Sequence, residues 1–94
     1  MEPAQLLVAL LDLARDTGLP VRTLGGGDAA SGVCRVRGAL WALLAESDPV
    51  PRRVAVLAQA LRSHAPDLLE RRYLPPAVRD CLEAPDAAPQ GPRR

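Results

Sequence analysis

The sequence VCRVRGALWALL, residues 33–44, predicts a β-hairpin. Arg37 and Gly38 form its predicted two-residue turn, because such turns need positive φ angles and glycine adopts them freely. This turn places Cys34 opposite Trp41. The register decides which side chains are buried, since a shift of one residue moves every side chain of a strand to the other face.

The two faces of this hairpin are both rich in apolar residues, and we predict that one of them is the core face. The predicted core face consists of Cys34, Val36, Trp41 and Leu43. The other face combines apolar and basic side chains, as interface hot spots do, and it predicts a surface that binds a partner. Together with an arginine pair that opens the next helix, the predicted partner-binding residues are Val33, Arg35, Arg37, Leu40, Leu44, Arg52 and Arg53. An alternative is that the first helix or residues 21–24 cover this face.

Helices are predicted on both sides of the hairpin. Residues 3–17 repeat leucine at helical spacing, and Gly18 is placed to end that helix. A long helix is expected to begin with Asp48 as its cap and Pro49 in its first turn, and to end near His64. A further short helix follows, through residue 83. Residues 21–24 read as a short extended segment, and the glycine-rich residues 25–32 read as a mobile loop.

This order of elements predicts an α+β fold. Its parts are an N-terminal helix, a small antiparallel sheet with a β-hairpin, a long helix and a short C-terminal helix. One globular domain is expected over residues 1–83. Residues 84–94 contain no large apolar side chain, and we predict a disordered tail that is rich in proline and alanine.

Composition excludes several classes of function. The 94 residues carry a net charge of +1, and all 12 basic residues are arginine. This near-neutral balance argues against a dedicated nucleic-acid-binding protein. We recognise no signal peptide and no apolar run long enough to cross a membrane, so we expect a cytoplasmic protein that does not bind membranes.

The sequence predicts no cofactor, no metal, no small-molecule substrate and no catalytic residue. A phosphate-binding P-loop needs a lysine, and the chain has none. Cys34, His64 and Cys81 lack the paired spacing of zinc ligands. His64 is the one imidazole, and Ser63 beside it points about 100° away around the helix, which follows from 3.6 residues per turn. No nucleophile is therefore paired with a base.

The hairpin and the helix after it resemble a region of the small ImmA/IrrE-type zinc peptidases. In that family the helix carries the zinc motif HExxH. The corresponding residues here are Gln59-Ala60-Leu61-Arg62-Ser63, so both ligand positions and the base position are replaced. The resemblance spans about residues 1–64 and implies a zincin-like scaffold without zinc or peptidase activity.

From these observations we expect a non-enzymatic bacterial adaptor or regulator that binds another protein or a second copy of itself. One alternative is a regulator linked to nucleic acid, which would use the arginine pairs 35/37, 52/53 and 71/72. Another alternative is a peptidase-like protein that has lost its catalytic residues.

Overall fold

The computed structural model describes residues 2–27 and 29–83 and confirms the α+β class and the order of the elements. The predicted tail, residues 84–94, lies outside the described residues. No described helix combines the length and the apolarity that crossing a membrane requires. The elements are α1 Pro3–Thr17, β1 Val21–Leu24, β2 Gly32–Val36, β3 Ala39–Ala45, α2 Val50–His64, α3 Pro66–Arg71 and α4 Pro76–Glu83.

The three strands form one sheet in the order β1-β3-β2, with β3 in the centre. β2 and β3 pair as the predicted antiparallel hairpin. β1 pairs with β3 in parallel, so the sheet is mixed rather than purely antiparallel. The reason is the connection from β1 to β2, which passes the end of β3 and leaves room for β3 to enter between the two earlier strands.

The hairpin has the predicted turn and register. Cys34 lies opposite Trp41, and Val36 lies opposite Ala39. Arg37 and Gly38 have φ angles of 53° and 84°. Positive φ at both central residues is the geometry of a type I′ turn, whose twist matches that of the paired strands.

The prediction of which hairpin face is buried is wrong. Ala42 and Leu44 belong to the buried core, and Val33 packs against it. Trp41 and Leu43, which were predicted to be core residues, are only partly buried and lie outside the core cluster. The physical reason is the position of α2, which contacts β3 and β2 and covers the face of Ala42 and Leu44.

α2 is the centre of the fold, since it contacts the sheet, α1, α3 and α4. Its stripe of buried residues follows from the spacing of apolar side chains along the helix. α1 packs against α2 through Leu10, Leu13 and Ala14. His64, at the last turn of α2, donates a hydrogen bond from Nε2 to the carbonyl oxygen of Thr17 at 2.9 Å. Among the described helices, α2 is the one with extensive contacts to the sheet, and the other three pack against α2.

Gly18 ends α1 in the left-handed conformation with φ of 82°. Its N–H and that of Leu19 donate to the last carbonyl groups of the helix. We predict that Gly18→Ala lowers the free energy of unfolding by about 1–2 kcal/mol, which is the cost of this conformation for an L-residue. An added Cβ would meet no atom within 4 Å, so the cost is conformational rather than steric.

The control for Gly18→Ala is Gly32→Ala, at a second glycine with open space but without positive φ. Gly32→Ala is expected to change the free energy of unfolding by less than about 1 kcal/mol. Chemical denaturation of both variants measures the difference. Equal losses in the two variants would contradict the conformational explanation.

Candidate functional site

The side of the sheet opposite α2 carries four apolar side chains and one arginine, which together we call the open face. It consists of Arg22, Cys34, Val36, Trp41 and Leu43. The pairing places them together, because Arg22 lies beside Leu43 and Cys34 lies opposite Trp41. Val36 is 45% exposed, Arg22 is exposed, and the other three are partly exposed. Apolar side chains that share a partly exposed sheet face mark a candidate surface for protein interaction.

β3 has the composition of a strand that is buried on both faces. Its sequence, ALWALLA, is apolar at every position. Strands that have one face in solvent alternate apolar and polar residues, whereas strands that are covered on both faces read as continuous apolar runs. Within the described residues, helix packing covers only the face of Ala42 and Leu44. The composition of β3 therefore fits a sheet whose second face is covered by something other than the described part of the chain.

The charges of the sheet have one sign. The three strands and their hairpin turn contain Arg22, Arg35 and Arg37 and no aspartate or glutamate. All 11 acidic residues of the sequence lie elsewhere. The open face thus combines apolar side chains with Arg22, and Arg37 lies at the hairpin tip.

The residues that the sequence predicted as partner-binding are divided by the structure. Leu44 is buried in the core, and Val33 is partly buried and packs against it. Arg35 and Arg37 are exposed near the hairpin tip, and Leu40 is partly exposed.

Arg52 and Arg53 lie at the start of α2. This helix follows the end of β3 that is farther from the hairpin turn. The seven residues of β3 separate these two places by about 20 Å, at 3.3 Å per residue. Arg53 also donates from Nε to the carbonyl oxygen of Asp48 at 3.1 Å. The structure therefore does not bring the hairpin pair and the α2 pair together, and one continuous arginine patch does not form from them.

The connection between β1 and β2 is tied to the end of β3. Ser31, in this connection, is buried, and its hydroxyl oxygen accepts a hydrogen bond from the backbone N–H of Ala45 at 2.9 Å. The backbone N–H of Ser31 donates to Oδ2 of Asp48 at 2.8 Å. Asp48 was predicted to cap α2, but Pro49 is the N-cap residue and Asp48 fixes the connection instead. The predicted mobile loop is thus anchored at Ser31.

Hydrogen bonds from the side chain and backbone of Ser31 hold the pKa of Asp48 below its ordinary value. A carboxylate with a lowered folded-state pKa stabilises the protein above the unfolded-state pKa, near 4, and this stabilisation is lost as pH falls through the folded-state pKa. We predict that Asp48→Ala destabilises the protein more at pH 7 than at pH 2.5. Urea unfolding at both pH values measures this.

Ser31→Ala is the companion variant for this pH dependence. Without the serine hydroxyl, the difference in stability between pH 7 and pH 2.5 should also become smaller than in the wild-type protein. If the destabilisation by Asp48→Ala were the same at both pH values, the bond between Ser31 and Asp48 would not be the cause.

Residues with catalytic or metal-binding chemistry are spread over the described fold. Burial raises the pKa of the Cys81 thiol, which makes it a poorer nucleophile. Cys34, the other free cysteine, lies on the open face, and His64 is bonded to α1. Within residues 2–27 and 29–83, no group of three or more His, Cys, Asp or Glu side chains is placed to hold a metal ion. The resemblance to zinc peptidases stays a prediction from the sequence.

A shallow groove of about 150 Å³ lies between α1 and the segment that leads into α4. Its lining includes Asp16, whose carboxylate pairs with Arg72 at 3.2 Å, and Tyr73, which is 82% exposed. Pockets for small molecules have volumes of roughly 300–1,000 Å³. The groove is smaller than that range, and the open face is the stronger candidate site.

No known protein family, curated protein or solved structure matches the chain.

Proposed function

We propose that the protein is a non-enzymatic bacterial adaptor or regulator that binds another protein through the open face of its sheet. The observation that carries this proposal is the all-apolar central strand β3, of which only one face is covered by the described helices. A cytoplasmic location fits this role.

The composition of the open face supports protein binding. Trp41 is the one tryptophan of the sequence, and it lies on this face beside Leu43 rather than in the core. Tryptophan and arginine are enriched among residues that dominate binding energy at protein interfaces. Burial of apolar surface contributes about 25 cal/mol per Å² to the free energy of association. A partner would gain this free energy by covering the apolar side chains of the open face.

The experiment is affinity capture from a lysate of the source cells with three versions of the tagged 94-residue chain. The wild-type protein should retain one or more proteins that Leu43→Asp loses. The matched control is Leu68→Asp, because Leu68 is 44% exposed on α3 and belongs to another surface. This control should retain the same proteins.

Circular dichroism and thermal unfolding show whether both variants are folded before capture. A folded Leu43→Asp variant that captures the same proteins as the wild type would overturn the proposed binding face.

A further inference from the structure

We infer that the partner presents an amphipathic α-helix whose apolar stripe is flanked by acidic residues, and that this helix lies on the open face. The inference rests on the proposed function and adds the chemistry of the partner. Its basis is the charge of the sheet, the conformation of Arg37 and the way in which α2 covers the other face.

The charge of the sheet selects the sign of the partner. Arg22 lies beside Leu43 on the open face, and Arg37 lies at the hairpin tip. Both are exposed, and the strands and the hairpin turn contain no aspartate or glutamate. A partner with carboxylates on each side of its apolar stripe complements these arginines, whereas a basic partner is repelled.

Arg37 adopts a conformation that arginine disfavours. Its φ angle of 53° is in the left-handed region, where asparagine and glycine are the preferred residues of a type I′ turn. Disfavoured conformations of this kind concentrate at functional sites. An arginine at this position lowers the stability of the turn, and contact between its side chain and an acidic partner gives a reason for its presence.

The architecture favours a helix as the element that covers the open face. α2 contacts the other face of β3, and it carries a stripe of buried apolar side chains, among them Leu57 and Leu61. A helix on each side is the usual arrangement around a strand that is apolar on both faces. A second copy that used the same face would bring two basic sheets together, which the charges oppose.

The test is selection from a phage-displayed library of random 16-residue peptides on the immobilised 94-residue chain. The enriched peptides should be acidic, with apolar residues at the i, i+3, i+4 and i+7 positions of a helix. Each is then synthesised, and its affinity is measured through the fluorescence of Trp41 for the wild-type protein and three variants. The variants are Leu43→Asp, the double variant Arg22→Glu/Arg37→Glu, and Arg37→Asn.

We expect Leu43→Asp to abolish binding and the double variant to weaken it about tenfold or more at low salt, because attraction becomes repulsion. Arg37→Asn should weaken binding about threefold, the scale of one exposed charge pair. The same substitution should raise the thermal midpoint, because asparagine is preferred at this turn position. A loss of binding in a more stable protein separates recognition from folding.

Different results would contradict the binding face and the acidic helical partner. Enriched peptides that are neutral or basic but lose binding to Leu43→Asp would overturn the acidic partner and leave the binding face intact. Peptides whose apolar residues alternate with period two would replace the helix with an added strand. Peptides that bind Leu43→Asp as well as wild type would overturn the proposed face. A wild-type dimer in sedimentation that Leu43→Asp dissociates would assign the face to a second copy.

Discussion

Leu57→Ala is expected to lower the free energy of unfolding by about 3–4 kcal/mol, within the range measured for leucine truncation in well-packed cores. Leu57 is completely buried in the middle of α2, the helix that contacts the sheet and the other three helices. Truncation there removes buried apolar side-chain atoms and leaves a cavity that the surrounding residues fill only in part. A domain of this size has a total stability on the order of 5–14 kcal/mol, so the loss is a large fraction of it.

The matched control for Leu57→Ala is the same substitution at Leu68, which is 44% exposed on α3. Leu68→Ala should cost less than about 1 kcal/mol, because little apolar surface returns to water. Guanidinium chloride unfolding, followed by circular dichroism, measures both values. Similar losses at the two positions would mean that α2 is not the centre of the core.

Most boundaries of the elements were predictable because local chemistry determines them. Gly18 ends α1 in the left-handed conformation that its position predicts. Pro66 lies just beyond the end of α2 and opens α3, which fits the absence of a backbone N–H in proline. Arg37 and Gly38 make the predicted turn, and this turn fixed the register of the hairpin correctly.

The buried face of the hairpin was not predictable, because both faces of β3 are apolar. Leu44 and Leu43 are neighbours with identical side chains, and only the position of α2 decides that Leu44 is buried. Arg35 and Arg37 favoured the prediction that their face of the hairpin is exposed. Both side chains are exposed because they lie near the hairpin tip. Farther from the tip, Val33 and Leu44 pack against the core. The feature of the sequence that indicates the site is the absence of polar residues from β3.

The role of Asp48 was hidden for a different reason. An aspartate just before a proline-rich helix start is typical of a cap, and the residue that binds it, Ser31, lies 17 positions earlier in the chain. Such contacts depend on how the connection between β1 and β2 returns to the end of β3. No local pattern in the sequence specifies that path.

The two neighbouring leucines of β3 allow a direct test of which face is buried. Leu44→Asp is expected to cost about 4 kcal/mol or more and to leave much of the protein unfolded, because it places a carboxylate in a site that is 3% exposed, without a partner. Leu43→Asp introduces the same group one residue earlier, on the open face. It should fold with a loss of less than about 2 kcal/mol, since a carboxylate at this partly exposed position can reach water.

The measurement is thermal and urea unfolding of both variants, with Trp41 fluorescence and circular dichroism as probes. If Leu43→Asp unfolded the protein and Leu44→Asp did not, the face assignment drawn from the sequence would be right and the open face would be part of the core. With the expected order, Leu43→Asp becomes a folded protein that lacks the apolar surface. The same pair of variants also supports the interpretation of the binding experiments. If Leu43→Asp is folded but does not bind the partner, Leu43 is needed as a contact with the partner and not as part of the core.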